Sequence, residues 1–272
     1  MNKDFTVLMS VYHKENPLYL DECLKSLFEQ TLKPKSIVLV KDGLLNSDLE
    51  KVIEAWQKKL PLKVVGYKDN MGLAYALSYG LQFCDTELVA RMDTDDIALS
   101  GRFEKQLAFM QKNPDCSLLS GFIEEFHDDP KLVLYCKTLP LEHDKIIAYA
   151  KKRNPVNHMA VMFKKSAVVA SGGYQSVPFF EDYDLWIRMI QNGYLLANLP
   201  EVLVKARIGN DMIGRRHGLK YAKHELYFFK RQVASGFLSK TEYLLLVLKR
   251  VPIRLLPKSI LGFVYKFLRT RQ

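Results

Sequence analysis

The sequence contains few cysteines and no long apolar segment. None of its 4 cysteines lies in a C-x-x-C pair, so neither a zinc site nor a redox motif is indicated. We expect these thiols to be reduced and buried as small apolar groups, which fits a cytoplasmic protein. No run reaches the ~18 consecutive apolar residues of a membrane-spanning helix, and the first residues lack the pattern of a signal peptide. The sequence therefore predicts neither a spanning helix nor a disulfide-stapled miniprotein.

Acidic residues are scarce towards one end of the chain. From Lys205 to Gln272 there are 16 basic and 3 acidic residues, a net charge of +13. Residues 1–204 carry 24 basic and 27 acidic residues, a net charge of −3. The 272 residues are otherwise ordinary for a globular protein, with 48% hydrophobic and 26% charged side chains, which excludes a disordered or collagen-like chain. The basic end favours an anionic partner: nucleic acid, phospholipid or a phosphorylated substrate.

Strands and helices alternate in the first half of the sequence. Short apolar runs predict strands, and apolar residues at helical spacing predict the helices between them. The predicted strands are Phe5–Tyr12, Ser36–Val40, Leu62–Tyr67 and Glu87–Met92. One predicted helix begins at Pro17, and the others span Asp48–Lys59, Met71–Phe83 and Arg102–Lys112. This alternation predicts a Rossmann-like, mostly parallel sheet flanked by helices, which binds ligands beyond the carboxyl ends of its strands.

The second half of the sequence is less regular. Its predicted strands are Ser117–Glu124, Leu132–Cys136, His158–Phe163 and part of Leu195–Arg207. Its predicted helices are Leu141–Lys151, Tyr183–Gln191 and His217–Ser235. We see no repeat and no low-complexity linker. We therefore expect one α/β domain over residues 1–204, with halves at about 1–115 and 116–204, followed by a basic helical appendage over 205–272.

An acidic cluster follows the fourth predicted strand. The segment Ala90-Arg91-Met92-Asp93-Thr94-Asp95-Asp96 places three carboxylates within four positions. Carboxylates this close repel one another unless a cation neutralises them. Hard divalent ions such as Mg²⁺ and Mn²⁺ prefer carboxylate oxygens together with substrate phosphates. A solvated acidic turn is the alternative, but its place at a strand's carboxyl end favours a metal site.

A second acidic group precedes an amphipathic helix. In Phe179-Phe180-Glu181-Asp182-Tyr183-Asp184-Leu185-Trp186, the acids stand where a helix N-terminus favours negative charge. Capping of that helix accounts for one acid. It does not require the two preceding aromatic residues, which suit either desolvation of a carboxylate or stacking on a sugar.

The sequence around these residues resembles that of bacterial family-2 glycosyltransferases of the GT-A fold. Six stretches match the family in its order, over about residues 5–190. They are Val7–Tyr12, Val40–Gly43, Asn70–Leu73, Asp93–Asp96, Asn157-His158 and Glu181–Trp186. The acidic segment, together with Arg215-Arg216-His217-Gly218, is similar to enzymes that extend lipid-linked O-antigen, capsule or exopolysaccharide repeat units.

The resemblance implies roles for individual residues. Asp182 matches the catalytic base, and Asp93 and Asp95 match the ligands of Mn²⁺ or Mg²⁺, with Asp95 the more direct ligand. The positions that match nucleotide-sugar contacts are Ser10, Tyr12, Asp42, Asn70, Arg91 and Asp93. The residues expected to contact the acceptor or a diphosphate are His158, Glu181, Trp186, Arg215 and Arg216. Other interpretations remain open here: Tyr12 or His158 in the core, Arg91 as an internal partner of a carboxylate, and Arg215-Arg216 as a solvated turn.

The implied reaction is transfer of a hexose from a nucleotide sugar, UDP-glucose or UDP-galactose, to a lipid-diphosphate-linked sugar. A metal stabilises the departing diphosphate, and one base accepts the acceptor proton, so a single displacement inverts the anomeric centre. Two alternatives remain. A nucleotidyltransferase is expected to have a Gly-rich phosphate loop, and Ser10–Asn16 contains no Gly. A non-catalytic carbohydrate- or membrane-binding protein of the same fold would bind UDP without turnover.

The basic end mixes apolar and cationic residues. The stretch Leu244–Gln272 has seven basic residues from Lys249 onwards and no acid. This pattern suits the surface of an anionic membrane, and Ile260–Leu268 can present one apolar helical face. We therefore expect a cytoplasmic enzyme, peripheral on the inner face of the membrane, that takes a polyprenyl-diphosphate acceptor. Nucleic acid is not expected as a partner, because no nucleic-acid motif accompanies the charge. The alternative is a helix that packs on the body with its basic residues outward.

Overall fold

A computed structural model of the chain describes residues 4–209 and 217–256. Strands and helices alternate in its first part as the sequence predicts. The elements are β1 (Phe5–Val11), α1 (Pro17–Phe28), β2 (Ser36–Asp42), α2 (Ser47–Gln57), β3 (Leu62–Tyr67), α3 (Leu73–Leu81) and β4 (Leu88–Arg91).

The second part adds shorter strands and most of the remaining helices. The elements are β5 (Ile97–Ala98), α4 (Arg102–Lys112), β6 (Cys116–Phe126), β7 (Tyr135–Lys137), α5 (His143–Ala150), a 3₁₀ turn (His158–Ala160), β8 (Met162–Lys164), α6 (Lys165–Ala170), α7 (Glu181–Gln191), β9 (Leu195–Arg207), α8 (Gly218–Ala234) and α9 (Lys240–Leu255).

Within the described residues, nine strands form one sheet in the order β3-β2-β1-β4-β8-β6-β9-β5, and β7 pairs with β6. Strands β1 to β4 are parallel, whereas β8 runs antiparallel to both of its neighbours. The carboxyl ends of β1, β2 and β4 therefore meet at one edge, with Ser10 opposite Val40 and Leu8 opposite Arg91. This edge carries the polar residues that the sequence singles out.

Strands β1, β2 and β4 are mostly buried because helices cover both faces of the sheet there, whereas the edge strand β3 is only half-buried. In β1, Val7 and Met9 pack into the core on one face, and Leu8 packs into the core on the other. Gly80 lets α3 lie close to the sheet. A Cβ atom at this position would lie 2.5 Å from Cγ2 of Val40 and 2.6 Å from Cδ1 of Leu8.

Two of the predicted strands are shorter than expected. The segment at His158 begins as a 3₁₀ turn, closed by a bond from the Ala160 N–H to the Asn157 carbonyl, and only Met162–Lys164 is extended. Before β7, residues 132–134 are exposed, and although the Leu134 N–H donates to the Glu125 carbonyl of β6, the strand starts at Tyr135. Cys136 in this strand is exposed, which corrects the expectation that all four thiols are buried.

The helices after β9 pack on the body of the protein. The ring of Phe228 in α8 lies 4.6 Å from that of Phe180, which precedes α7, and 4.7 Å from that of Tyr183 in α7. Strand β9 itself continues to Arg207, three residues beyond the boundary expected at 204. In the described ranges, no helix combines the length and the apolar character needed to cross a membrane. The predicted helical face over 260–268 lies outside the described residues.

Helix α9 is held to α8 by a buried ion cluster. Glu225 of α8 is 1% exposed and accepts hydrogen bonds from Arg250 at 2.6 Å and from Arg254 at 3.0 Å. Two of the seven basic residues counted at this end of the chain therefore face the protein interior. The helix thus packs on the body, as in the alternative interpretation, but Arg250 and Arg254 do not face outward as that alternative has them.

Candidate active site

Three carboxylates converge in the turn between β4 and β5. One ligand atom from each of Asp93, Asp95 and Asp96 lies within 4.8 Å of the others. Burial raises the pKa of Asp95 to about 7, and the charges of Asp93 and Glu15 add to the rise. Burial and the charge of Asp95 likewise raise the pKa of Asp96. Like charges crowded in this way are stabilised by a divalent cation, so the donor set fits Mn²⁺ or Mg²⁺.

Two residues that the sequence does not single out hold this turn. Glu15, in the loop after β1, accepts a hydrogen bond of 2.6 Å from the Thr94 hydroxyl. Arg207, at the end of β9, donates its backbone N–H to Asp96 at 2.8 Å. Both contacts join segments far apart in the sequence, and no local pattern indicates them.

Arg91 is the buried partner of the acidic turn. Its side chain is 2% exposed and pairs with the Asp93 carboxylate, as in the alternative of an internal carboxylate partner, and contact of Arg91 with a nucleotide sugar stays a prediction. The other two guanidinium nitrogens, Nε and Nη1, have no acceptor in the part of the chain that the structure describes. The positive charge also lies close enough to Glu181 and Asp182 to oppose the rise of their pKa values.

Glu181 and Asp182 begin helix α7. Asp182 accepts hydrogen bonds from the amide of Asn154 at 2.6 Å and from the backbone N–H of Tyr183 at 2.7 Å. Burial raises the pKa of Asp182, and the bond from Asn154 opposes that rise. Burial and the neighbouring Asp182 raise the pKa of Glu181 to about 7. Carboxylates with raised pKa values are suited to proton transfer near neutral pH.

A residue in left-handed conformation precedes these acids. Phe179 has φ of +70°, which is uncommon for a residue with a side chain and marks local strain. Its ring packs 5.1 Å from that of Tyr221 in α8. The first turn of α7 is therefore fixed from the α8 side as well as by Asn154.

Asp42 organises the loop between β3 and α3. Its carboxylate is 3% exposed and accepts hydrogen bonds from the Tyr67 hydroxyl at 2.9 Å and the Met71 N–H at 2.7 Å. The Asn70 amide and the Gly72 N–H each donate to it at 3.0 Å. Gly72 has φ of +85°, which suits glycine at this turn. Direct contact of Asp42 with a nucleotide stays a prediction.

The remaining predicted residues differ in exposure. Tyr12 is 40% exposed, so it is not a core aromatic, and Ser10 is half-buried at the end of β1. His158 is half-buried and its Nε2 shares a 2.9 Å hydrogen bond with Tyr174. Burial, with the charge of Arg91, lowers its pKa, so the ring is neutral.

Trp186 is 0% exposed and packs in the core with its ring 5.8 Å from His158, so no sugar can stack on it. This corrects its expected contact with the acceptor. Arg215 and Arg216 lie outside the described residues.

The fold and this site define a glycosyltransferase of the GT-A type, and the chain belongs to the Glycosyl transferase family 2, whose profile matches residues 6–167. It is 42% identical to the amylovoran biosynthesis glycosyltransferase AmsE of Erwinia amylovora over 265 residues, 96% of this chain and 98% of that protein. It is 39% identical to the Escherichia coli UDP-Gal:alpha-D-GlcNAc-diphosphoundecaprenol beta-1,3-galactosyltransferase over 265 residues, 96% of this chain and 95% of that protein. The family expected from the sequence is confirmed.

Solved structures show the same fold. Mannosyltransferase PcManGT from Pyrobaculum calidifontis, in complex with GDP-Man and Mn²⁺, superposes with a TM-score of 0.66 at 16% identity, over 97% of this chain and 79% of that chain. S. aureus TarS 1-349, in complex with UDP-GlcNAc, gives 0.63 at 17% identity, over 82% of this chain and 65% of that chain. At these identities the likeness concerns the fold alone, and it confirms the predicted fold class.

Proposed function

We propose that this glycosyltransferase moves a hexose from UDP-galactose or UDP-glucose to a lipid-diphosphate-linked sugar, with inversion, in the synthesis of a surface polysaccharide. The observation that carries the proposal is the convergence of the Asp93, Asp95 and Asp96 carboxylates after β4, with one ligand atom of each within 4.8 Å of the others. A second acidic group, Glu181 and Asp182, begins α7. One group suits the departing diphosphate, and the other suits the attacking hydroxyl.

The donor half of the proposed site is the edge where β1, β2 and β4 end. Tyr12 is exposed at this edge, and Asp42 shapes the loop that carries Asn70 beside it. An exposed aromatic ring and a fixed loop are suited to hold the base and ribose of a nucleotide. The metal-binding turn follows β4 at the same edge, where the diphosphate of a bound donor would lie.

The cation in this proposal is Mn²⁺ or Mg²⁺, held by Asp93 and Asp95. When bound, it supplies Lewis-acid stabilisation of the negative charge on the departing UDP. Asp96 accepts the Arg207 N–H through one oxygen, and its other oxygen has no partner among the residues described. The resemblance of fold to a mannosyltransferase solved with Mn²⁺ supports the choice of ion.

Asp182 is the proposed base. Asn154 fixes one of its carboxylate oxygens, and the bond from Asn154, with the charge of Arg91, opposes the rise of its pKa and so favours the charged form needed to accept a proton. A single base that activates the acceptor hydroxyl fits one direct displacement, and one displacement inverts the anomeric centre. The two adjacent acids both lie on the first turn of α7 and do not flank a sugar from opposite sides, as the carboxyl pair of a glycosidase does.

The acceptor is the least constrained part of the proposal. A relative that is 39% identical is named for transfer of galactose to a GlcNAc joined to diphosphoundecaprenol, which supports a polyprenyl-diphosphate acceptor here and a β1,3 linkage. Such an acceptor lies in a membrane, so we place the enzyme peripherally on the anionic inner face. Glu181 and His158 are proposed to contact the acceptor, as are Arg215 and Arg216.

Helix α9 offers a surface for this membrane contact. Its outward side exposes Leu244, Leu245, Leu248 and Leu255, each 48–62% exposed, next to the exposed Lys249. Arg250 and Arg254 bind Glu225 on the opposite side. The sequence carries no acid after Glu242. Apolar side chains with basic neighbours suit shallow insertion into an anionic bilayer.

The test is transfer itself. Purified enzyme is incubated with each of UDP-galactose, UDP-glucose and UDP-GlcNAc, a synthetic GlcNAc-diphosphate lipid, and MnCl₂. We expect one hexose donor to give a disaccharide product in the β configuration, determined by NMR. Metal-dependent UDP binding without a product from any donor would instead favour a non-catalytic binding protein. An α-linked product from a UDP-α-sugar would contradict inversion.

A further inference from the structure

Arg207 reaches the metal-binding turn from a distant strand. It is the last residue of β9 and lies 111 residues after Asp96, whose carboxylate accepts its backbone N–H at 2.8 Å. Its side-chain Nε donates to the carbonyl oxygen of Asp95 at 3.1 Å. The residue therefore binds the turn at two consecutive positions, and it leaves the carboxylates of Asp93 and Asp95 available to a cation.

The other guanidinium nitrogens bind two further segments. Nη1 donates to the carbonyl oxygens of His127 at 3.1 Å and Asp128 at 3.3 Å, after β6. Nη2 binds the carboxylate of Glu22 in α1. One side chain, which is 4% exposed, thus joins the end of β9 to the acidic turn, to the segment after β6 and to helix α1.

The guanidinium group of Arg207 packs against two aromatic rings. Its central carbon lies 3.8 Å from the ring centroid of Tyr19 and 4.5 Å from that of Phe126. A planar group packed against two rings, with its N–H groups directed at fixed acceptors, has little freedom to turn. The orientation of the Asp95 backbone is fixed with it.

The acidic turn needs such a restraint. Three carboxylates whose ligand atoms lie within 4.8 Å repel one another before a cation arrives. Partners outside the ligand set orient the ligands of metal sites, and their loss weakens metal binding. We propose that Arg207 is a positioning residue that orders the acidic turn for a divalent cation. This role rests on the metal site of the proposed function.

The substitutions follow from these contacts. Arg207→Met keeps an unbranched side chain and removes every side-chain hydrogen bond. Arg207→Lys keeps the charge but has one nitrogen in place of a planar group with three. The backbone bond to Asp96 persists in both, so the pair isolates the side chain.

Arg254→Met is the matched control. Arg254 is also buried, lies with its guanidinium carbon 4.8 Å from the Tyr221 ring centroid and binds a glutamate, Glu225. It belongs to α9 rather than to the acidic turn. Loss of a buried guanidinium group lowers stability in both Arg207→Met and Arg254→Met. Loss of the restraint on the acidic turn weakens Mn²⁺ binding in the Arg207 variants alone.

The experiment measures UDP binding by calorimetry over a series of MnCl₂ concentrations. For Arg207→Met we expect the apparent Mn²⁺ dissociation constant to rise by ~10–100-fold, with kcat largely recovered at saturating Mn²⁺, and a smaller rise for Arg207→Lys. Arg254→Met should lose thermal stability and keep the wild-type constant.

A wild-type Mn²⁺ constant in Arg207→Met, or an equal rise in Arg254→Met, would overturn the proposal. If Arg207→Met does not fold, the constant of Arg207→Lys decides in the same way. If UDP binding by the wild-type protein does not depend on Mn²⁺, the proposed metal site is refuted as well. Because that result is read in the wild-type protein, it is distinguishable from a failure of Arg207 alone.

Discussion

The side-chain amide of Asn154 donates a 2.6 Å hydrogen bond to the carboxylate of Asp182. Asn154 lies in the loop after α5, and residues Lys151 and Lys152 of that loop contact α9 through Glu242 and Arg250. The proposed base is thus held by a loop that is itself fixed by the C-terminal helices. This arrangement gives the first prediction.

Asn154→Ala should move the pH dependence of transfer. Burial already raises the pKa of Asp182, and the Asn154 bond, with the charges of Arg91 and Lys137, opposes the rise. Without that bond the pKa rises further, so the active carboxylate is protonated at a higher pH as the solution is acidified. A charge-assisted hydrogen bond is worth roughly 1.5–3 kcal/mol, which corresponds to a shift of about one to two pH units in the acidic limb of kcat/KM.

The control is Asn113→Ala, which removes an exposed side-chain bond at the end of α4. Its pH profile should match that of the wild type. The neighbouring acid Glu181 also titrates in this region, with a pKa of about 7, so Asn154→Ala is measured in the Glu181→Gln background too. An acidic limb that stays in place in both backgrounds would refute the role of Asn154.

Asp95→Asn should separate function from stability. Loss of a ligand should abolish Mn²⁺-dependent UDP binding and transfer, and Asp93→Ala should do similar but milder harm. In metal-free buffer, however, Asp95→Asn removes one of three mutually repelling, partly buried charges, so the free energy of unfolding should not fall. Asp85→Ala, an exposed acid away from the turn, should change neither quantity. Full activity of the wild type in excess EDTA would contradict the metal assignment.

Gly80→Ala should destabilise the fold. The added Cβ would lie 2.5 Å from Val40 and 2.6 Å from Leu8, between α3 and the sheet. Overpacking of this kind costs about 1–3 kcal/mol in the free energy of unfolding, measured by urea denaturation. The control is Gly101→Ala, where the nearest atom to the new Cβ is the flexible end of Lys105 at 3.5 Å. Equal stability of the two variants would show that α3 does not need this close approach.

Leu245→Ser with Leu248→Ser should weaken binding to vesicles that contain anionic lipid. Both side chains are exposed on the outward side of α9, at 56% and 62%. Wild-type binding should fall but persist as salt rises, because apolar insertion is not screened. Leu219→Ser, at an equally exposed leucine of α8, is the control. Unchanged vesicle binding in the double variant would place the membrane contact elsewhere.

The sequence predicts the parts of the fold and site that depend on neighbouring residues. Apolar runs mark β1, β2 and β4 because helices cover both faces of those strands, and β3 and α4 have the predicted bounds. The acidic turn is visible because its three acids are adjacent in the chain. Asp182 can be singled out from the sequence because it lies in the first turn of an amphipathic helix.

The contacts that complete the site are not visible in the sequence. Arg207 meets Asp96, and Asn154 meets Asp182, because the sheet order brings β9 and the loop after α5 to the edge where β4 ends. No periodicity encodes that order. Two side-chain orientations are hidden in the sequence for the same reason. Trp186, an aromatic residue beside acids, packs in the core. Arg250, a basic residue, binds a buried glutamate.

The most direct test of the central claim compares Asp182→Asn with Glu181→Gln in transfer and in UDP binding. Asp182→Asn preserves size and removes proton acceptance. Its kcat should fall by ~10²–10⁴-fold while Mn²⁺-dependent UDP affinity stays at the wild-type value, and Glu181→Gln should keep substantial activity. An inactive Glu181→Gln beside an active Asp182→Asn would contradict the account.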